Sequence, residues 1–563
     1  MTHENPTQNR ASETPIASLA DALTLTTART LFNPTRLRDV RSAIDRTARM
    51  TGRPATELPA SPEGLRPLLL TILPARHGIT RKSLANVRAD LSALLAAVGL
   101  ADRLGRSKVQ LSPTWAGLIE AVPLSPQKAS IRAFARWAQG AGYAPDAIDE
   151  AVIEAFRAWR TTRTLDLNVA ITVNAIRRIW NNAVRTVPGW PQRRLVAPKD
   201  PRAVALPRSD FSAAFLADLD GYLAALSNPD PLRPGFGRQL SPLTIGDRGR
   251  ALLRMASILV AQGREPATIT SLADLVTEAS MRAALLALYE RNGGRERGWP
   301  AAAVTFACSV MHVAEAWCGV TGDDLAKLRA LRKLVTTKRH GLSRRNLDRL
   351  EQFDEPALLA RFLALPDELM HAADRLVAEG CHVRAAELHE TGLALALLLL
   401  NPMRRQNLVD LDLQAHFRRD HRGNFLGLSI PGTAVKNGVG IEAELPRALA
   451  RRIGQHLRVH HPLRCSVATT KLFPSRVGGA RAPEVLARAI KRAVGRYVGA
   501  EFNVHAQRHL AVKLLLDDNT DNVAVAQRLL GHRDARTTVS MYGTITTRAA
   551  QKSWQASIQR RLR

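Results

Sequence analysis

Cysteine is scarce in this sequence, and so is tyrosine. The 563 residues include only four cysteines and five tyrosines. A disulfide-stabilised fold or a cysteine zinc site needs paired spacing such as C-x-x-C, which the sequence does not contain. The sequence therefore predicts buried free thiols at four widely separated positions, Cys308, Cys318, Cys381 and Cys465.

Long apolar segments are also missing. The longest run, "LALALLLL" at residues 393–400, is less than half of the roughly 20 residues that span a bilayer, and it predicts a buried helix. The first residues, "MTHENPTQNRASET", are polar and lack the apolar centre of a signal peptide. We therefore expect a cytoplasmic protein without a membrane partner.

Negative charge is in short supply. Eighty Lys and Arg residues face 50 Asp and Glu residues, which gives a net charge of +30. A GC-rich genome would favour Arg over Lys, but it does not by itself explain the excess of positive charge. Because Arg binds phosphate through two parallel hydrogen bonds, the balance predicts a nucleic-acid partner, with an anionic membrane surface as the alternative.

Helical spacing of apolar residues dominates the chain up to about residue 345, and the length predicts roughly three to four domains. Two segments form a weak repeat, because each runs from Ser-Pro (Ser125 and Ser241) through an Arg-bearing helix to Ala-Gln-Gly. Stretches rich in Pro and basic residues separate the predicted modules. We expect helical modules at 1–110, 111–205 and 235–340, followed by a C-terminal domain at 347–563.

Polar residues suited to phosphate chemistry concentrate beyond residue 380. An apolar helix stops at Asn401-Pro402, and Pro402 is expected to start the next helix. Arg404 and Arg405 would lie in its first turn, where a helix N-terminus already favours an anion. Taken alone, a basic pair in so Arg-rich a chain would be interpreted as solvated.

Two strand-like runs, "FLGLSI" and "GIEAEL", flank Asn437-Gly438, a pair that favours a tight hairpin turn. Lys436 immediately precedes that turn, where it could be presented to a substrate. An exposed lysine without a role is the alternative.

Further along, "NVHAQRHLAVKLLLD" places His505 and Arg508 on one face of a predicted helix. The spacing H-x-x-R recurs at His416 and His461, so it has little weight alone. Only His505 is followed by an apolar helix, then Gly531-His532, and then Tyr542.

In this order, the residues resemble the catalytic motif series of the tyrosine recombinase (phage integrase) family. The resemblance rests on six residues, Arg404, Lys436, His505, Arg508, His532 and Tyr542. Residues 235–340 are similar to the family's core-binding (SAM-like) domain, and 111–205 to a module of that kind. The resemblance implies a mainly α, multidomain protein whose helical DNA-binding modules precede a mixed α/β catalytic domain with a small antiparallel sheet.

The implied chemistry is metal-independent DNA strand transfer. Tyr542 would be the nucleophile that forms a covalent 3′-phosphotyrosine, which conserves the phosphodiester energy. A phenol with a pKa near 10 needs a base and nearby positive charge, and His505 is the predicted base. Arg404 and Arg508 would clamp the nonbridging oxygens.

The same resemblance assigns the two remaining residues. Lys436 would protonate the leaving 5′-oxygen, and His532 would bind the phosphate or position Tyr542. Because arginines supply the positive charge, no metal or cofactor is implied.

Some positions depart from the family pattern. Asn401-Pro402 stands where many members have Thr-Gly, and Asn407 stands where many have an acid. The interval from His532 to Tyr542 is one residue longer than usual, and the loop "RDAR" is expected to absorb the difference. Arg405 competes with Arg404 for the role of first arginine, although Arg404 fits the family spacing better.

The expected function is site-specific recombination or integration for a bacterial mobile element, on double-stranded DNA at the nucleoid. A homo-oligomer, with a tetramer on paired sites, is expected because four strands must be exchanged, and accessory recombination proteins are further candidate partners. The basic tail at 546–563 predicts a helix that docks on a neighbouring subunit or stays solvated. A type IB topoisomerase and a catalytically silent DNA-binding accessory protein are the alternative functions.

Overall fold

The structure is a computed structural model that describes residues 16–102, 110–196, 205–335, 341–532, 538–543, 545 and scattered positions from 551 to 561. The described chain forms two compact units. One joins the residues up to 196 to those from 341 onwards, and the other comprises the residues between 205 and 335. Within these units, the buried apolar side chains form four separate hydrophobic cores.

The first core is built by α1 (Leu19–Ala28), α2 (Pro34–Thr51), α3 (Pro62–Thr71) and α4 (Arg81–Ala97). A polar side chain caps the start of each helix by accepting a hydrogen bond from the backbone N–H three residues later. The apolar faces of α2 and α4 then pack together, with Val40, Ile44 and Leu91 fully or almost fully buried.

The second core contains α5 (Pro113–Glu120), α6 (Ser125–Gly140), α7 (Glu150–Arg163) and α8 (Val169–Thr186). It is rich in aromatic rings, with Trp180 making edge contacts to Trp115 and Trp190. The chain beyond α8 folds back along this helix. Asn181 donates to the Leu195 carbonyl (2.7 Å) and accepts from the Leu195 N–H (2.8 Å), so the returning segment is fixed in place.

The third core lies in the other unit and contains α9 (Ala213–Ser227), α10 (Pro242–Ala261), α11 (Glu278–Arg291), α12 (Ala301–His312) and α13 (Gly322–Leu334). The weak sequence repeat corresponds to α6 and α10. Each of these helices is followed by a short 3₁₀ turn that begins at a proline, Pro145 or Pro266. The two similar segments therefore form the same local structure.

The fourth core belongs to the C-terminal part of the chain. Its helices before the sheet are α14 (Arg344–Glu351), α15 (Pro356–Ala378), α16 (His382–Leu400) and α17 (Arg405–Val409). Those after the sheet are α18 (Arg447–Gln455), α19 (His461–Arg464), α20 (Pro483–Ala493), α21 (Val504–Asp518) and α22 (Val523–Leu530). The strands β1 (Phe417–Arg419), β2 (Phe425–Ile430) and β3 (Ile441–Glu444) form one antiparallel sheet in the order β1-β2-β3.

The helix α16 is the centre of this core, as its apolar run predicts. It packs along α15, and Gly392 lies directly against that helix. A Cβ atom there would lie 2.8 Å from the backbone oxygen of Pro366, so only glycine fits without a backbone shift. Leu393, Leu395 and Leu397 are completely buried on the following turns.

These elements confirm the predicted mainly α fold with a small antiparallel sheet. The boundaries at 1–110, 111–205, 235–340 and 347–563 stay predictions. None of the helices in the described ranges has the length and apolarity needed to cross a bilayer. The prediction of uniformly buried thiols is wrong, because Cys465 is buried whereas Cys308, in α12, and Cys381, just before α16, are exposed.

Three histidines, His389, His456 and His460, stack inside the fourth core. The ring of His389 lies 4.3 Å from that of His460 and 5.4 Å from that of His456, measured between centroids. None of their six ring nitrogens has a hydrogen-bond partner among the described residues. Burial, and next the neighbouring His460, lower the pKa of His389 to about 3. The cluster is therefore uncharged near neutral pH.

Acidification from pH 7 to pH 5 is expected to lower the free energy of unfolding of this core by about 2 kcal/mol through His389 alone. Unfolded, this histidine titrates near 6.5, but its folded pKa is about 3. The unfolded state therefore binds a proton that the folded state excludes, and stability is lost as the pH falls through this interval. Hydrogen exchange of α16 peptides, corrected for intrinsic rates, measures the effect. His389→Leu should weaken the pH dependence, and an unchanged dependence would contradict the assignment.

Candidate active site

A polar cavity of about 210 Å³ lies in the C-terminal domain, at the meeting point of segments far apart in sequence. Its walls come from the chain after α16, the β2–β3 loop, α21 and the end of α22. Arg404 and Arg508, two of the residues singled out in the sequence, line it together. The cavity therefore brings together two arginines that are about a hundred residues apart in the chain.

Arg508 is at the centre of the site and is only 6% exposed. Its guanidinium donates to the backbone oxygens of Pro402 (2.6 Å) and Leu530 (2.8 Å), which join α21 to the segment after α16 and to the end of α22. Burial, and next the positive charge of Arg404, lower its pKa to about 10. Arg508 therefore stays protonated at neutral pH, and its orientation is fixed by main-chain acceptors.

Arg404 immediately precedes α17, and its guanidinium donates to the side-chain oxygen of Asn437 at 3.0 Å. Among the described residues, neither Arg404 nor Arg508 forms an ion pair with a carboxylate. Arg405 instead points away and pairs with Glu484 at 3.2 Å. The structure thus places Arg404 in the cavity and Arg405 outside it.

The expected helix start at Pro402 is wrong by a few residues. Helix α17 begins at Arg405, and the preceding residues are not helical. With only five residues, α17 has a small dipole, so its N-terminus adds little attraction for an anion. The positive charge of the site therefore comes from the guanidinium groups.

Asn437 holds the β2–β3 loop against the site. Besides accepting from Arg404, its side chain donates to the backbone oxygen of Gly531 at the end of α22. Gly531 has a left-handed backbone (φ 63°) that ends the helix and turns this carbonyl towards the loop. Asn437 therefore connects the first arginine to the segment that leads to His532.

The predicted hairpin is present, but its turn differs from the prediction. The strands are separated by residues 431–440, so the connection is a longer loop. Within this loop, Gly438 donates to the Val435 carbonyl at 2.8 Å, which forms a local turn. Lys436 is exposed at this turn and is not among the residues that line the cavity.

Tyr542 is the most buried of the candidate residues, with 2% of its surface exposed. Its hydroxyl lies 2.8 Å from Nδ1 of His509. Burial raises the pKa of the phenol to about 12, although the nearby Arg508 acts in the opposite direction. Tyr542 is therefore a neutral phenol in this state, within reach of the positive charge at the centre of the site.

His509, and not the predicted base His505, contacts the phenol. Burial, followed by the charges of His505 and Arg508, lowers the pKa of His509 to about 4, so its imidazole is neutral. His505 lies one helical turn earlier, exposed to solvent, with its ring 4.8 Å from that of His509. Partial burial of the His505 ring lowers its pKa, and the positive charge of Arg508 lowers it further.

His532 lies just after Gly531 and is half-buried. Its Nδ1 is 2.9 Å from the hydroxyl of Thr538, which belongs to the same helical stretch as Tyr542. Partial burial, then the charges of Arg508 and Arg404, lower its pKa. The "RDAR" loop and most of the tail at 546–563 lie outside the described residues.

Three residues that contribute to this geometry were not singled out in the sequence: Asn437, His509 and Arg528. Asn437 was interpreted only as a turn residue. His509 carries a readable signal, because it follows His505 by one turn on the same helix face. Arg528 lines the cavity from α22, but nothing in its sequence context separates it from the other arginines.

The sequence matches no protein-family model and none of the curated proteins. Its fold is similar to that of XerH site-specific recombinase bound to difH substrate, at 17% identity and a TM-score of 0.34, over 54% of this chain and 76% of that one. It is also similar to lambda integrase bound to a core site, at 16% identity and a TM-score of 0.34, over 57% and 93% of the two chains. An integrase from mycobacterium phage Brujita matches at 17% identity and a TM-score of 0.22, over 59% and 90%.

Proposed function

We propose that this protein is a site-specific DNA recombinase or integrase that cuts and rejoins DNA through a covalent 3′-phosphotyrosine at Tyr542. One observation carries the proposal. Arg404 and Arg508, which lack carboxylate partners among the described residues, line one cavity together. Tyr542 is close enough to Arg508 for the positive charge to act on the pKa of the phenol. Two guanidinium groups that form no ion pair among the described residues suit a phosphodiester, because arginines clamp phosphate oxygens, although the cavity lining also includes Glu442.

In the proposed reaction, the phenol oxygen of Tyr542 attacks the phosphorus, and the bond to the leaving 5′-oxygen breaks. One phosphodiester is exchanged for another, so the energy needed for rejoining is retained. Arg404 and Arg508 stabilise the charge on the nonbridging oxygens as it builds. Lys436, on its exposed turn, is the proposed donor of the proton to the 5′-oxygen.

The phenol proton needs an acceptor, and two histidines compete for this role. His509 is in contact with the hydroxyl, and its neutral imidazole can accept the proton at Nδ1. His505 is exposed one turn earlier on the same helix, and it would accept the proton in a DNA complex in which Tyr542 has moved outwards. We keep His505 as the proposed base in the DNA complex and assign His509 to holding the phenol beforehand. His532 is proposed to bind the phosphate or to position Tyr542 through Thr538.

The proposed partners follow from the reaction. The DNA is double-stranded, and two sites must be paired, so we propose a homotetramer on paired sites, assisted by accessory recombination proteins. The proposed setting is a bacterial mobile element, with the protein on the nucleoid.

Covalent trapping tests the function. The full-length protein is incubated in EDTA with nicked duplexes that cover the ends of its own genetic element, then denatured, and any DNA-linked peptide is mapped by mass spectrometry. An adduct on Tyr542 supports the proposal, and an adduct on another residue overturns the assignment. Relaxation of supercoiled plasmid without a specific site would favour the topoisomerase alternative. Tight binding without any adduct would favour the accessory-protein alternative.

Asn437→Ala is expected to slow adduct formation at saturating DNA by on the order of tenfold to a hundredfold. Without the amide, Arg404 loses its acceptor and the loop loses its bond to Gly531, so the first arginine is no longer held in place. Single-turnover rates at saturating DNA measure the effect. Asn424→Ala, at an exposed turn between β1 and β2, is the matched control and should react like wild type. An Asn437→Ala rate within twofold of wild type would contradict the positioning role.

A further inference from the structure

A second polar cavity, of about 650 Å³, runs along α8 in the second core. Arginine, asparagine and glutamine side chains dominate its lining, which includes neither a carboxylate nor an aromatic ring. This cavity belongs to a different hydrophobic core from the candidate active site. We call it the α8 groove.

One wall of the α8 groove is the polar face of the helix. Asn174, Arg178, Asn182 and Arg185 follow one another at spacings of three or four residues, which puts them on one face. The opposite face is buried in the aromatic core through residues such as Trp180. The helix therefore presents its polar stripe in a fixed orientation.

The other wall is the segment that returns along α8. It is held by the two hydrogen bonds between Asn181 and Leu195 and by a bond from the Trp180 indole to the Arg193 carbonyl (2.8 Å). Arg194 lies between these fixed points and is exposed. Hydrogen bonds between side chains of α8 and the main chain of the returning segment therefore hold the two walls of the groove together.

The arginines of the groove differ in whether a carboxylate neutralises their charge. Arg177 is 10% exposed in its side chain and pairs with Glu150 and Glu154, so its charge is neutralised. Arg178, Arg185 and Arg194 are exposed, and none of them forms an ion pair with a carboxylate in the described part of the chain. Three arginines that have no carboxylate partner among the described residues therefore line a cavity together with amide side chains.

We propose that the α8 groove binds the phosphate backbone of duplex DNA as a second contact surface, separate from the candidate active site. The inference deepens the proposed function and rests on it for the identity of the polyanion. Guanidinium and amide groups are the side chains that bind phosphate oxygens in protein–DNA interfaces. Single strands are held mainly by aromatic stacking platforms, whereas the groove lining has no aromatic ring, and Trp180 and Trp190 of the same core are buried. The lining therefore favours a duplex.

The test uses the full-length protein carrying Arg178→Ala together with Arg185→Ala, and a fluorescent duplex from the genetic element. Fluorescence anisotropy across a series of KCl concentrations gives the affinity and its salt dependence. Each lost phosphate contact lowers the slope of log Kd against log salt by about 0.9, so the slope should fall by about 2. The affinity near 0.15 M salt should fall on the order of tenfold to thirtyfold.

The matched control is Arg132→Ala together with Arg163→Ala. It removes the same charge from the neighbouring helices α6 and α7, but these arginines pair with Glu120 and Asp102 and do not line the groove. Its slope should stay at the wild-type value. An unchanged slope in the groove variant, an equal loss in the control, or a larger loss on a single-stranded oligonucleotide would overturn the inference.

The experiments distinguish an incorrect assignment of the groove from an incorrect proposed function. If Tyr542 forms the adduct but the groove variant binds like wild type, the recombinase proposal stands and the groove assignment fails. If the groove variant loses affinity and slope but no adduct forms on any substrate, the DNA contact stands and the strand-transfer proposal fails.

Discussion

Tyr542→Phe is expected to reduce the covalent DNA adduct below detection while leaving DNA affinity within about twofold of wild type. Phenylalanine retains the buried ring but has no oxygen with which to attack phosphorus. The substitution removes the hydrogen bond to the buried His509, so the fold should persist with a loss of stability of about 1 to 3 kcal/mol. Denaturing gel electrophoresis after incubation with a nicked duplex measures the adduct, and anisotropy measures binding.

Tyr497→Phe is the matched control, because Tyr497 is a partly buried tyrosine of the same core. It should form the adduct at the wild-type rate. If Tyr542→Phe still forms an adduct, another residue is the nucleophile. If Tyr542→Phe also loses DNA binding, Tyr542 has a structural role that the adduct assay alone does not separate from catalysis.

Arg508→Ala is expected to slow adduct formation by about a thousandfold, since a preorganised cation next to the reacting phosphate is removed. The same change leaves the carbonyls of Pro402 and Leu530 without their donor. The free energy of unfolding of the C-terminal core should therefore fall by about 2 to 4 kcal/mol. Single-turnover trapping and urea unfolding measure the two effects separately.

Arg508→Lys separates charge from geometry. Lysine keeps the positive charge but cannot donate through a planar fork to two acceptors, so the rate should stay far below wild type while part of the stability returns. Arg405→Ala is the control, because Arg405 points out of the cavity and pairs with Glu484. Its rate should change less than threefold. A larger loss for Arg405→Ala than for Arg404→Ala would reverse the assignment of the first arginine.

Much of this architecture is readable in the sequence because it depends on local patterns. Apolar spacing predicts the helices, the two strand-like runs predict the hairpin, and residues 393–400 predict the buried α16. The resemblance of six residues, Arg404, Lys436, His505, Arg508, His532 and Tyr542, to the motif series of a known family predicts one site, and their catalytic roles stay predictions. The helices and the hairpin, in contrast, depend on periodicity, which the sequence displays directly.

The contacts inside the site cannot be predicted from local sequence patterns. Whether His505 or His509 touches the phenol depends on where the chain after α22 returns, which no local pattern specifies. The contacts of Asn437 are not predictable either. An Asn-Gly pair predicts a turn, whether or not the asparagine amide contacts Arg404 and Gly531. The sequence predicts a tight β2–β3 turn, but the connection is a longer loop, because tertiary contacts outweigh the preference of two residues for a tight turn.

The four separate hydrophobic cores have a consequence for how this protein loses its structure. Side chains within a core exclude water together, and the buried apolar residues of the described chain fall into four separate clusters. Cooperative unfolding units should therefore be smaller than the chain, and a single melting temperature will not describe it. Heating or denaturant should open the cores in steps, and a protease added between steps would release whole modules as folded fragments.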